Sequence, residues 1–150
     1  MGRREFSATE TIRRPPSDVF DWVADYRNVP RVLEGISRWE PRGERSEGEG
    51  ALFDVEMRTL GIPLSAELEL AEWVRPRRIA WRSRSGLIPQ QGRWTFDGSA
   101  RSTTVDLRIS YEPPAAMIGT FVAGRVEGQV RARLHRALSR MKQMLEDGGE

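Results

Sequence analysis

Ile12-Arg13-Arg14-Pro15-Pro16-Ser17-Asp18-Val19-Phe20-Asp21-Trp22-Val23-Ala24-Asp25, followed two residues later by Asn28-Val29-Pro30, is the stretch on which the fold turns. Pro15-Pro16 ends any extended segment before it, because proline lacks an amide donor and biases its predecessor away from helix. Ser17 is then placed to cap a helix whose apolar positions Val19, Phe20, Val23 and Ala24 recur at helical spacing. Asn28, with Pro30 in the first turn, predicts a second and shorter helix ending near Gly35. Upstream of the prolines, Phe6 to Arg13 alternates loosely and is rich in Ser and Thr, which predicts a strand. The chain therefore opens strand, helix, helix.

From Ile36 the pattern changes to period two. Strands are expected at Ile36–Arg42, Ala51–Thr59, Leu64–Val74, Arg78–Ser85, Gly92–Phe96 and Thr103–Tyr111. Turn chemistry separates them: Gly43 to Gly50, Leu60-Gly61-Ile62-Pro63, Arg75-Pro76, Gly86 to Gln91, and Asp97-Gly98 with the polar residues after it. Connections this short favour consecutive antiparallel hairpins, since parallel strands need a crossover of about a dozen residues. Glu112-Pro113-Pro114 closes the last strand, and Ala115 to about Glu146 reads as one long helix. Its apolar stripe is Ile118, Val122, Val126, Val130, Leu134, Ala137, Leu138, Met141 and Leu145. Gly119, Gly124 and Gly128 weaken its first half and mark either a bend or a close approach of a strand or ligand. Residues 1–146 are expected to form one domain, with 147–150 a disordered tail.

Composition removes several function classes. The chain has no cysteine, so disulfides, thiolate nucleophiles and cysteine-ligated metals are excluded. His135, the single histidine, has no Asp, Glu or Cys at metal-ligand spacing beside it, which leaves no metal site and no Ser-His-acid relay to expect. Neither a phosphate-binding glycine loop nor a dinucleotide fingerprint is present, so no cofactor is implied. Lys142 is the single lysine among 24 Lys and Arg residues, yet 22 acids are interspersed with them and the net charge is only +2. A nucleic-acid binder concentrates its basic residues on one face; mixed strands such as Asp54-Val55-Glu56-Met57-Arg58 do not, and no nucleic-acid partner is expected. With 38% hydrophobic and 31% charged residues, no run long enough to span a bilayer and no secretory signal, the expectation is a cytoplasmic monomer or homodimer.

The order β-α-α-β-β-β-β-β-β-α, opened by Ile12–Pro30, resembles the helix-grip fold of the START/Bet v 1-like (SRPBCC) superfamily. More narrowly it resembles the polyketide cyclase/dehydrase and lipid-transport branch, whose members open with a strand ending in proline and a helix of this pattern. The resemblance implies an α+β domain in which a curved antiparallel sheet of about seven strands grips the long C-terminal helix. It also implies a cavity between the two. From the residues alone, the interior reads rather as a solid core, and it is the resemblance that reverses this in favour of a cavity.

Strand parity separates the faces. Phe53, Val55 and Met57 share one side of their strand; Leu64, Ala66, Leu68 and Leu70 share one side of the next. Ile79, Trp81 and Ser83 follow, then Trp94 with Phe96, and Thr103, Val105, Leu107, Ile109 and Tyr111. The concave face is thus apolar and aromatic, with Ser83, Thr103 and Tyr111 as polar points. The candidate ligand-binding residues are Phe53, Val55, Met57, Leu68, Trp81, Ser83, Trp94, Phe96, Leu107, Ile118, Phe121, Val122 and Gln129, the last beside the helix stripe. Apolar residues in the Leu60–Pro63 and Gly86–Pro89 turns, with Met117, Ile118 and Phe121, read as an entrance, a transient membrane contact or a partner surface, or equally as loops packed on each other.

Three functions fit these residues. The first is binding of a hydrophobic or aromatic small molecule such as a lipid, polyketide or quinone. The second is a cofactor-independent polyketide cyclase or dehydratase. Glu10, which shares parity with Phe6, Ala8 and Ile12, would be its base, and Ser83, Tyr111 and Arg125 its carbonyl-polarising donors. The third is a protein-interaction module using the arginine-rich back of the long helix, Arg131, Arg136 and Arg140.

Overall fold

The computed structural model describes residues 3–59, 62–112 and 125–148. Strand β1 (Arg4–Ile12) buries Phe6, Ala8 and Ile12 and turns the residues between them outward. Helix α1 (Pro16–Ala24) starts before Ser17: Pro15 holds the cap position in extended geometry, and no side chain caps the helix. Pro16 fits there because its missing amide would have had no intrahelical partner. Asp18, in the first turn, is held instead by Arg14 at 2.9 and 3.2 Å. Asp25 then caps the 3-10 turn Tyr26–Asn28, accepting from the Arg27 amide at 3.1 Å. Asn28 holds the N-cap position of the four-residue helix α2 (Val29–Val32) without a side-chain capping bond; its side-chain amide donates instead to the Trp22 carbonyl at 2.8 Å.

The remaining strands are β2 (Ile36–Pro41), β3 (Leu52–Thr59), β4 (Ile62–Val74), β5 (Arg78–Gly86), β6 (Gln90–Gly98) and β7 (Thr103–Tyr111). They form one curved antiparallel sheet in the order β1-β7-β6-β5-β4-β3-β2. Consecutive hairpins run from β2 to β7, and β1 returns to pair with β7 from Arg4↔Tyr111 to Ile12↔Thr103. The two short helices thus carry the chain from one sheet edge to the other. Register shifts fall between Ile36 and Arg38, between Glu67 and Leu68, and between Leu70 and Glu72. Such bulges bend a strand and re-aim the side chains beyond them. One consequence is that Trp73, outward by simple alternation, packs on the core and meets Phe20 edge-on at 5.3 Å.

Helix α3 (Arg125–Gly148) crosses the concave face and buries Leu134, Ala137, Leu138, Met141 and Leu145. Asp147 and Gly148 belong to it, so the helix outruns its expected end by two residues. Ile118, Phe121 and Val122 lie outside the described residues, as does the expected start of the helix at Ala115. Glu146 ties α3 to the end of β1. It accepts from the Arg13 amide at 2.8 Å, the Arg13 guanidinium at 3.2 Å and the Lys142 ammonium at 2.9 Å.

The interior has two unlike ends. At one, α1 drives Val19 and Phe20 into the sheet, where Phe20 meets Phe96 at 5.7 Å and Trp94 stacks on Phe96 at 6.3 Å. Ile12, Val105, Leu107, Leu138 and Met141 close that end completely. Thr103 is also fully buried there, its hydroxyl donating to the Arg14 carbonyl at 2.7 Å. The other end has no α1 above it, and there the core opens.

Candidate functional site

A cavity of about 140 Å³ lies between the open end of the sheet and the first half of α3. Its floor is Met57, Leu64, Trp81 and Ile109, its roof Val130 and Leu134 from α3, and its side Leu33, Ile36 and Trp39. Ile88, from the β5–β6 turn, closes the far edge. Trp39 meets Trp81 edge-on at 6.3 Å, so two indoles make one corner of the chamber. Polar groups enter at four places: Gln90, Tyr111, Glu34 and Arg133.

Trp81 owes its position to a glycine. It pairs across β5–β6 with Gly92, and a Cβ at Gly92 would sit 2.1–2.6 Å from three indole atoms. The ring therefore lies directly on the Gly92 backbone, as strand glycines permit. Tyr111 stacks on Phe6 with 5.8 Å between ring centroids. Burial pushes its phenol above the ordinary value, the Glu127 carboxylate adds to the rise, and Arg4 partly offsets it. The hydroxyl is consequently a donor at all physiological pH.

The opposite rim is charged. Glu34 accepts from Arg136 at 2.6 and 2.7 Å and pairs with Arg140 at 2.9 Å. The Arg136 hydrogen bonds hold its carboxyl below the ordinary carboxylate range despite some desolvation, with further attraction from Arg140 and Arg133. Gly35 follows at φ +86°, a left-handed conformation that glycine adopts without strain. A Cβ there would lie 2.8 Å from the Arg58 carbonyl and 3.2 Å from the Arg133 guanidinium. The glycine thus lets β2 enter beneath α3.

Of the residues singled out from the sequence, Met57, Trp81 and Tyr111 line the cavity. Phe53, Val55, Leu68, Trp94, Phe96 and Leu107 are buried in the packed core, outside the cavity lining. Strand parity assigns them the right face but is silent on which end of that face is filled. Ser83 accepts from the Gln90 amide at 2.9 Å and, like Thr103, serves the backbone. Gln129 is exposed, because it falls one position off the apolar stripe. Glu10 lies outside the cavity lining, and its carboxylate accepts from the Thr11 amide at 3.1 Å. The Arg125 side chain lies outside the described residues. Among the described residues nothing lies within 4 Å of a Cβ built at Gly128, so no described strand approaches closely there.

The arginine back of α3 is also committed internally. Arg136 and Arg140 hold Glu34, and Arg131 lies over the Phe6 ring at 5.4 Å. Among the described residues no cluster of His, Asp and Glu could hold a metal ion, and no helix is long and apolar enough to cross a membrane.

Sequence reasoning missed Trp39, Leu33, Glu34, Gln90 and Arg133, whereas Ile88 belongs to the Gly86–Pro89 turn marked as an entrance. Trp39 and Ile36 both reach the cavity only because the β2 bulge restores alignment between them. Gln90 was within reach, since it shares parity with Trp94 and Phe96 once β6 is begun two residues earlier.

A curved sheet gripping a C-terminal helix over an apolar chamber defines a helix-grip fold of the START/Bet v 1-like superfamily. Within it, the chain belongs to the polyketide cyclase / dehydrase and lipid transport family, whose model matches residues 3–146. Solved structures with the same fold include TTHA0849 from Thermus thermophilus, at a TM-score of 0.82 and 19% identity, over 98% of this chain and 100% of that one. The ZhuI aromatase/cyclase from Streptomyces sp. R1128 superposes with a TM-score of 0.74 and 16% identity, over 99% of each chain. A START superfamily protein from Mycobacterium smegmatis gives 0.71 and 16%, over 95% of this chain and 99% of that one. No curated protein matches in sequence. At these identities the likeness establishes the fold alone.

Proposed function

We propose that this chain binds a hydrophobic or aromatic small molecule in the cavity beneath α3. The observation that carries the reading is an apolar chamber, walled by two indoles and aliphatic side chains, with polar groups confined to its edges. Ligand pockets of this composition take affinity from the wall and orientation from the few polar points. An engineered cavity of about 150 Å³ with aliphatic and aromatic lining admits benzene, so a chamber of about 140 Å³ takes about one ring, a second fused ring extending toward its charged rim. Trp81 and Trp39 border the ligand space, which makes intrinsic fluorescence the natural readout. Titration with naphthalene-class probes should give saturable quenching that Trp81→Leu largely removes. Absence of saturation with any apolar probe would refute the reading.

A cyclase or dehydratase activity is the second reading, supported by Tyr111 alone of the candidate catalytic residues. Its phenol stays protonated and borders the chamber, where it would polarise a carbonyl of a folded poly-β-ketone. Tyr111→Phe should then abolish turnover of such a substrate while leaving its binding within a few-fold. Equal turnover by the variant excludes Tyr111 from the chemistry.

A further inference from the structure

We infer that the ligand of this cavity is an amphipathic acid, its apolar body in the chamber and its anionic group on Arg133. The inference rests on the cavity reading above and adds the chemical class of what is bound. Three arginines of α3, Arg133, Arg136 and Arg140, face the single carboxylate of Glu34 at the chamber's rim. Glu34 is satisfied by Arg136 and Arg140 together, three contacts at 2.6–2.9 Å. Arg133 is left over. Among the described residues its half-buried guanidinium donates a single hydrogen bond, to the Arg58 carbonyl at 3.3 Å. It is also the arginine of the three that lines the cavity.

A guanidinium carries five N–H donors in a planar fork suited to two carboxylate oxygens, so most of Arg133's capacity is unspent. The rim holds a surplus of positive charge beside an apolar wall. A neutral ligand would leave that surplus untouched, whereas an anionic group on Arg133 would reduce it. Glu127, the other acid on this stretch of α3, is paired with Arg4 at 3.4 Å near Tyr111 and does not offset Arg133 through any contact among the described residues. Tyr111 and Gln90 stand across the chamber from the rim, where a second polar point on the same ligand would meet them.

The test uses a matched pair, 2-naphthoate and 2-naphthamide, which share shape and differ in charge. Calorimetric or fluorescence titration of the whole chain should show the acid binding about tenfold more tightly, as expected for gaining a charge-assisted hydrogen bond at a partly exposed site. Raising NaCl from about 0.05 to about 0.5 M should weaken the acid and leave the amide nearly unchanged. Arg133→Met keeps the stem and removes the charge, and should equalise the two affinities; Arg133→Lys should retain part of the preference. Should Arg133→Met fail to fold, the lysine variant and the salt dependence of the unaltered chain decide the matter. Equal binding of acid and amide by the unaltered chain overturns the acid preference and leaves the cavity reading standing. Binding of neither sinks both.

Discussion

Replacing Gly92 by alanine tests whether the cavity wall is built as described. The new Cβ would meet the Trp81 indole at 2.1, 2.3 and 2.6 Å, well inside van der Waals contact, so something must move. The backbone of β6 is fixed by β5 on one side and β7 on the other, which leaves the ring to yield. Trp81 is only 6% exposed and is wedged against Trp39, so no free rotamer awaits it. Overpacking of this kind costs about 1–3 kcal/mol, and alanine's lower unfolded-state entropy returns roughly 0.5–1 kcal/mol. A net loss of ~1–2 kcal/mol should lower the midpoint of thermal unfolding by about 3–7 °C in a chain of this size. The displaced indole should also shift the emission maximum and weaken binding of apolar probes by roughly tenfold, since the wall it forms is lost. Combining Gly92→Ala with Trp81→Leu should cost less than the two changes added, because the leucine clears the space that alanine needs. A Gly92→Ala protein with unaltered melting, emission and probe binding would refute the placement of Trp81 on the strand backbone. Strict additivity in the double variant would do the same.

Two further changes probe the filled end. Glu146, with a pKa held at about 2 chiefly by the Lys142 hydrogen bond and then by the Arg13 amide, binds fewer protons folded than unfolded below the ordinary carboxylate range. Its contribution to stability is therefore complete above about pH 4.5 and is lost as pH falls toward 2. In Glu146→Gln, denaturation midpoints between pH 6 and pH 2 should fall less steeply than in the unaltered chain, and parallel curves would contradict the assignment. Thr103→Val removes the buried hydroxyl that donates to the Arg14 carbonyl at 2.7 Å. Losing that bond at a fully buried position should cost about 1–2 kcal/mol by chemical denaturation with the cavity unaffected, and an unchanged midpoint would contradict it.

The order of elements and the inward face of each strand are legible in the sequence because both are local. Two prolines stop β1, helical spacing at Val19, Phe20 and Val23 follows, and alternation from Phe53 to Tyr111 assigns each side chain to one side of a pleat. Family membership follows from the same pattern over Ile12–Pro30, and residues 3–146 match the family's model. The positions that misled were those where a bulge breaks the alternation, as at Trp39 and Trp73, or where polarity masks position, as at Glu34 and Arg133.

By itself the sequence determined a curved sheet, a gripping helix and an apolar interior. Which part of that interior is hollow was decided by tertiary structure alone. Phe96 and Met57 are equally apolar and equally inward, yet α1 sits over the first and nothing comparable among the described residues sits over the second. Alternation along one strand carries no information about what another segment, distant in the chain, lays across it. The same distance hides the charged rim, where Glu34 and Arg136 stand 102 residues apart and meet only when α2 docks on α3.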